Sequence, residues 1–420
     1  MDTKLNKEAL CYHSSTRPGK IEVKPMKACD SSHDLSLAYT PGVAEPCLKI
    51  KENPDDVYKY TIKGNLVAVI TNGTAVLGLG NLGALASKPV MEGKVMLLKK
   101  YADIDGFDIE LNTTDVDVFV RTVITMSPTF GAINLEDIKA PECFEIEKRL
   151  IDALDIPVMH DDQHGTAIVS GAGLINACEI AEKKLQDIKL VISGAGAAAM
   201  ACAEMYLSLG VKKENLLMLD SKGVISKKRL DLNKYKQAFA VNTNLETLEE
   251  ALAGADAFVG LSKANIMTVE MAQSMAENPI VFALANPNPE IAYSDAIKAK
   301  YGIIYASGRS DIPNQINKVL GFPYIFRAAL DVRASKINTE MKKAAVYALA
   351  SLAKESFLSI DGSVSLSFGR DYFIPLPSDL RLFRTIVPAV AEAAIKSGVA
   401  GKAIPDMNSY INELDKRIIK

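Results

Sequence analysis

Short apolar runs set among Pro/Gly turns mark the first 160 residues. Leu66-Val-Ala-Val-Ile70, Val116-Asp-Val-Phe-Val120 and Ile156-Pro-Val-Met159 predict strands, and Arg17-Pro-Gly and Thr40-Pro-Gly predict turns. From about Gly165 the pattern changes. A helical stretch over 166–184 leads into the apolar strand Leu190-Val-Ile-Ser193. Further strands are expected at Asn215–Asp220, Ala257–Gly260, Ile280–Ala283 and Ile303–Tyr305, each separated by helical sequence. Strands alternating with helices imply a parallel, doubly wound sheet. Beyond Arg333 the chain reads mostly helical, broken by the Pro-rich Ile374-Pro-Leu-Pro377. The expectation is therefore an α/β protein in three parts: an N-terminal α/β domain over 1–160, a Rossmann-like domain over 161–385, and a C-terminal helical tail over 386–420.

Within the second part, Gly194-Ala195-Gly196-Ala197-Ala198-Ala199 fits G-x-G-x-x-A, between a strand and a helix. Gly194 permits a tight turn, Gly196 lets the backbone approach a pyrophosphate, and Ala199 permits close helix–strand packing. The helix N-terminus supplies free N–H groups for the anion. Asp220, at the end of the next strand, is placed to accept from an adenosine ribose. Asp220 favours NAD, whereas Lys222, Lys227, Lys228 and Arg229 just beyond it suit the 2′-phosphate of NADP, so the cofactor is NAD or NADP. A second match, Gly78-Leu-Gly-Asn-Leu-Gly83, lacks a single acid in the ribose position. Asp103, Asp105 and Asp108 read instead as a loop, and a turn near the substrate, or plain packing, is the better reading of those glycines.

Composition narrows the class. A net charge of −3 with no charge block gives no electrostatic case for nucleic acid or anionic lipid. No apolar run is long enough for a membrane span, and no signal-like segment opens the chain. The six cysteines, Cys11, Cys29, Cys47, Cys143, Cys178 and Cys202, form no C-x-x-C pair. They read as buried free thiols in a reducing, cytoplasmic setting.

Two acid pairs stand at expected strand ends: Glu136-Asp137 after Ala132-Ile-Asn-Leu, and Asp161-Asp162 after Pro157-Val-Met-His. Ligands of open α/β sheets gather there, and several carboxylates in one place need a counter-charge. Oxygen donors without thiolates suit Mg²⁺ or Mn²⁺. Ser87–Lys100 reads as a helix with Pro89 near its first turn. Val90, Lys94, Leu97, Leu98 and Tyr101 would share one face, so Lys94 is either a desolvated general base or a lysine snorkelling from the stripe's edge. Tyr39, before the Pro41-Gly42 turn, is either presented to a cleft or an ordinary half-buried tyrosine. His160 and His164 flank the acids without zinc-type spacing and read as structural or as supports behind the ligands.

Taken in order, several motifs resemble the malic enzyme family in its short bacterial form. They are Leu37-Ala-Tyr-Thr-Pro-Gly-Val-Ala44, Leu77–Gly83, Pro89-Val-Met-Glu-Gly-Lys94, Ile133-Asn-Leu-Glu-Asp-Ile138, His160–Ala167, Ala285-Asn-Pro-Asn-Pro-Glu290 and Ser307–Asn317. The resemblance runs from about residue 10 to about 385. It implies divalent-metal-dependent oxidative decarboxylation of malate to pyruvate and carbon dioxide with reduction of NAD(P), in a homodimer whose N-terminal domain holds the substrate. It also implies roles: Tyr39 as general acid, Lys94 as general base, Glu136, Asp137 and Asp162 as metal ligands, and Asn286 and Asn317 on malate. The chain departs from longer relatives at Asn72–Leu77, which lacks an arginine for a malate carboxylate, at Asn81 for an aspartate, and at Lys318 for a second asparagine. Alternatives are an oxaloacetate decarboxylase on the same scaffold, a generic hydroxy-acid dehydrogenase, and a non-enzymatic dinucleotide-sensing protein.

Overall fold

The computed structural model describes residues 3–15, 17–359 and 362–418. Its first sheet contains β1 (Leu66–Thr71), β2 (Asp105–Glu110), β3 (Ala132–Leu135) and β4 (Val158–His160), all parallel in the order β2-β1-β3-β4. β1 is buried along its whole length, as its unbroken apolar run requires of a strand covered on both faces. The stretch containing Asp105 and Asp108 is not the expected loop: it forms the edge strand β2, where Lys88 pairs with Asp108 and Asn65 and Lys99 hold Asp105. Val116–Met126 is a helix, where a strand was expected over 116–120. Its β-branched run misleads, because Phe119, Val120 and Val123 recur at helical spacing on the buried face and Asp115 caps Val118 N–H.

The second sheet contains β5 (Leu190–Ser193), β6 (Leu216–Asp220), β7 (Gly223–Val224), β8 (Ala257–Gly260), β9 (Ile280–Ala283) and β10 (Ile304–Ser307). The order is β10-β9-β8-β5-β6-β7, parallel except for the short edge strand β7. This is the expected doubly wound arrangement. In each sheet the chain leaves a central strand in one direction and returns on its other side. The crevices at those reversals, β1/β3 and β5/β8, open at strand carboxyl ends and are where such sheets bind ligands.

One apolar core runs from Val67 through Ile192 and Leu349 to Leu414, so the two sheets share it with the C-terminal helices. Buried Asn176 on the Asp161–Ile180 helix donates to the carbonyls of Ala350 and Phe373. Arg327, on the Phe322–Asp331 helix, reaches Asn65 just before β1 and Asp331 beside it. The boundary expected at 385 falls inside the Arg381–Lys396 helix, whose buried face passes through Leu382, Phe383, Ile386, Val387 and Val390 without a break. Emptying one of those positions, as in Ile386→Ala, removes core volume at a cost of about 2–5 kcal/mol.

The N-terminal segment behaves differently. The Ser32–Ala38 and Ala44–Glu52 helices bury none of their residues. Their apolar side chains, Leu35, Leu37 and Leu48 among them, face outward, as do Leu77, Leu79, Leu82 and Leu85 around the first Gly-rich turn. The cysteines divide the same way. Cys143, Cys178 and Cys202 are buried as expected, but Cys11, Cys29 and Cys47 are exposed on this segment, and all six are free. Among the described residues no helix is long and apolar enough to cross a membrane.

Candidate active site at the strand ends of the first sheet

β3 ends at Leu135, and the next two residues bring Glu136 and Asp137 to the crevice. Asp137 takes a left-handed conformation (φ 53°), and its N–H donates to Asp162 Oδ2 at 2.7 Å. The helix expected from about 166 starts at Asp161, so Asp161 and Asp162 occupy its first turn, where the helix dipole favours anions. Glu136, Asp137 and Asp162 each present an oxygen, all within 4.8 Å of one another. Asp137 Oδ2 and Asp161 Oδ1 are buried with no hydrogen-bond partner, an arrangement that costs free energy unless a cation or donor satisfies it.

Two lysines face these acids. Lys94 comes from the Ala84–Ala102 helix, which begins three residues earlier than expected and holds Pro89 inside it. Its buried stripe is Ser87, Met91, Lys94, Val95, Leu98 and Ala102, with Val90, Leu97 and Tyr101 at the margin. Lys94 is only 7% exposed; its Nζ lies 2.6 Å from Asp161 Oδ2 and 3.1 Å from Glu136 Oε2, and 4.0 Å above the Phe322 ring centroid. Lys318 lies 2.6 Å from Asp162 Oδ1, 3.0 Å from Glu136 Oε1 and 3.4 Å from Asp161 Oδ2. Burial, followed by repulsion from Asp162 and Glu136, pushes Asp137 up to about 8. Burial opposes ionisation of Asp162 too, but the Lys318 ammonium outweighs it and holds that carboxyl below the usual range. Burial likewise opposes the charge on Lys318, and Asp162, Glu136 and Asp161 more than offset it, so its pKa is raised.

The supporting groups carried little sequence signal. Buried Asn134 donates to Glu136 Oε2 at 3.0 Å, and Phe322 closes over Lys94 from a helix more than 220 positions further on. Glu147 accepts from the His160 backbone N–H and pairs with the His164 ring at 3.0 Å, whereas both ring nitrogens of His160 are buried without a hydrogen-bond partner, Nε2 lying 3.9 Å from Asp162. Alternation along a strand could have flagged Asn134; nothing local could have flagged Phe322.

Other expected residues lie further out. Tyr39 is 68% exposed, and its hydroxyl has no hydrogen-bond partner among the described residues. Asn317 uses its side-chain oxygen to cap Val319 N–H at 3.0 Å. Asn286 stands beside the first Gly-rich turn: a Cβ on Gly78 would lie 3.3 Å from its carbonyl oxygen. Fully buried Glu290 accepts from Ser262 and Ala285 N–H groups and clasps that loop. The Gly78–Gly83 turn thus packs against the Asn286 loop.

In the second sheet, Gly194 (φ 128°) closes on Leu261 at the β5/β8 crevice, where a Cβ would come within 2.5 Å of the Leu261 carbonyl oxygen. A Cβ on Gly196 would meet nothing within 4 Å, and the Ala197–Leu209 helix after it has no side-chain cap. Open space before uncapped N–H groups fits a pyrophosphate. Asp220 is engaged within the protein. Its carboxylate accepts from Lys222 N–H at 2.9 Å, Arg229 at 2.8 and 3.0 Å, and Lys236 at 2.6 Å. Four bonds fill its acceptor sites and leave none for a ribose hydroxyl. Burial alone would raise its pKa, but Arg229 and Lys236 bring it down to about 2.

A doubly wound sheet with a Gly-rich turn at its reversal, joined through one core to a second parallel sheet with a lysine–carboxylate cluster, defines a two-sheet α/β protein of dinucleotide-binding type. Residues 18–151 match the malic enzyme N-terminal domain and residues 163–362 the malic enzyme NAD-binding domain. The NADP-dependent malic enzyme of Haemophilus influenzae is 53% identical over 426 residues, covering 100% of this chain and 56% of that protein. The NADP-dependent malic enzyme of Halomonas elongata is 53% identical over 401 residues, covering 94% of this chain and 95% of that protein. A crystal structure of malic enzyme from Pyrococcus horikoshii superposes with a TM-score of 0.91 at 41% identity, covering 99% of this chain and 96% of that one. The chain belongs to the malic enzyme family. It spans about half the length of the curated relatives it matches first.

Proposed function

We propose that the protein oxidatively decarboxylates malate to pyruvate and carbon dioxide, with NADP as hydride acceptor and a divalent metal ion. The observation that carries this reading is the buried Lys94 ammonium, held between Asp161, Glu136 and the Phe322 ring beside an oxygen-only acid cluster. Glu136, Asp137 and Asp162 would hold Mg²⁺ or Mn²⁺: their oxygens converge, they are hard donors, and one is an orphaned buried oxygen. Bound there, the ion polarises the C2 oxygen of malate and offsets charge that develops on it. Once Lys94 has given up its own proton to solvent, its neutral Nζ takes the proton of the C2 hydroxyl as hydride leaves C2, and Asp161 at 2.6 Å holds the ammonium that re-forms. Loss of the C4 carboxylate then leaves an enolate, and Tyr39 supplies the proton to C3. Asn286 and Asn317 orient the substrate.

NADP is preferred to NAD because the carboxylate that would take a ribose hydroxyl is saturated. Arg229, Lys222 and Lys236 stand in its place as cations for a 2′-phosphate. The assembly is a homodimer. The apolar face of the N-terminal segment, together with a groove of about 590 Å³ between Val23, Met26, Ile62, Val95 and Phe107, suits a second copy, and Tyr39 lies exposed on that same segment. Six unpaired cysteines suit the cytoplasm.

The test is absorbance at 340 nm with malate and Mn²⁺, run with NADP and with NAD, and pyruvate assayed at the end. NADP reduction matched by pyruvate and abolished by EDTA is expected. No reduction with either cofactor, alongside metal-dependent loss of oxaloacetate, would overturn the oxidative reading. Sedimentation of the wild type as a dimer, and of Leu37→Asp as a monomer, tests the assembly; a monomeric wild type would sink it.

A further inference from the structure

The acid cluster has a feature that the proposed reaction does not use. Glu136, Asp137, Asp161 and Asp162 bring four carboxylates together, and Lys94 and Lys318 answer with two ammonium groups. Lys94 is enclosed. Lys318 is not: its side chain is 30% exposed against 7% for Lys94. Yet Lys318 touches three of the four carboxylates, including Glu136 and Asp162, two of the three groups read above as metal ligands.

The seat is shaped for it. The backbone is fixed by the Asn317 cap and by buried Val319 and Leu320. On the facing helix, a Cβ on Gly165 would come within 3.2 Å of Lys318 Cβ and 2.2 Å of Asp161 Oδ1, so only a glycine leaves room for both. An ammonium at 2.6–3.0 Å from Asp162 and Glu136 occupies the lone pairs a divalent ion would use. Two cations competing for the same oxygens in a partly buried site repel strongly. Lys318 has a flexible stem and an open side through which to leave.

We propose that Lys318 is the resident counter-cation of this site, seated on Glu136 and Asp162 when no metal is bound and expelled when the metal enters. Metal binding is then a cation exchange, and Lys318 sets how much divalent ion the protein needs. The inference rests on the metal reading above.

The test uses the whole chain and Mn²⁺ alone. Free Mn²⁺ is measured by electron paramagnetic resonance during titration of the wild type, Lys318→Gln and Lys318→Arg. Lys318→Gln should bind Mn²⁺ at least about tenfold more tightly, since it removes a charged competitor, and Lys318→Arg should bind as weakly as the wild type. In the wild type, acetylation of Lys318 by a soluble N-hydroxysuccinimide ester, read by peptide mass spectrometry, should rise when Mn²⁺ saturates the protein. This second readout does not depend on a variant folding. Equal or weaker Mn²⁺ binding by Lys318→Gln, with Lys318 acetylation unchanged or lowered by Mn²⁺, overturns the role of Lys318 and leaves the metal site standing. No Mn²⁺ binding to any of the three proteins overturns both.

Discussion

The two sheets each place acids and bases at a strand end, and the balance of charge differs in sign. At the end of β3 and β4, four carboxylates face two ammonium groups, and two buried carboxylate oxygens have no partner. At the end of β6, Asp220 and Asp231 face Arg229, Lys222 and Lys236, and the four acceptor positions of Asp220 are filled. The first cluster has an excess of acceptors and so attracts a cation. The second has an excess of donors and so attracts a phosphate. The same residue types give opposite sites because burial and pairing decide which charge is left over.

The contrast can be broken most severely at Lys94. Lys94→Ala removes the proposed base, and NADPH formation from malate should fall by about 10²–10⁴-fold while NADP binding, followed by fluorescence titration, is unchanged. Near-normal turnover would remove Lys94 from the chemistry. At the other site, Arg229→Ala should raise the KM for NADP by about 10–100-fold and leave that for NAD within about twofold, as expected for one lost charged hydrogen-bond pair. Parallel losses with both cofactors would show that Arg229 supports the fold and not the phosphate.

Two smaller effects sharpen the comparison. Burial and the neighbouring Asp162 and Glu136 push Asp137 up to about 8, so Mn²⁺ would displace its proton at lower pH. Apparent Mn²⁺ affinity should rise by up to about tenfold per pH unit from 6 to 8 and level off above, measured by titration at fixed ionic strength. In the metal-free protein the raised carboxyl pKa acts on folding in the opposite sense. Its contribution is present at low pH and is lost as pH climbs through about 8, since the unfolded chain ionises first. The smallest effect is expected at Asp220. Asp220→Asn loosens Arg229 and should weaken NADP binding by less than about fivefold, with NAD unaffected. A large loss of NAD affinity would restore Asp220 to the ribose.

Much of this was legible in the order of residues. The strands β1, β3, β5, β6, β8, β9 and β10 follow from short, mainly apolar runs, which a sheet covered on both faces can bury. The acid pairs Glu136-Asp137 and Asp161-Asp162 were expected together because strand ends on one side of an open sheet converge, and the family resemblance picked out Glu136, Asp137 and Asp162 among them. Two misreadings came from local pattern alone. Val116–Val120 looks like a strand in five residues and is a helix in eleven, because burial of Phe119 and Val123 chooses the longer period. Asp105 and Asp108 look like a loop and form β2, because lysines from the neighbouring helix, Lys88 and Lys99, pair with these acids along the edge strand.

The sequence by itself determined the periodicities, the glycine turns and the donor types, since each depends on a residue and its near neighbours. It did so for Gly194, whose positive φ a side chain would strain, and for the oxygen-only donors of the acid cluster. Only the tertiary structure decided which charges meet. Lys318 reaches Glu136 across 182 positions, Phe322 covers Lys94 across more than 220, and Asp220 spends its oxygens on Arg229 and Lys236. Coulomb energy depends on distance through space and on burial, neither of which is written along a chain.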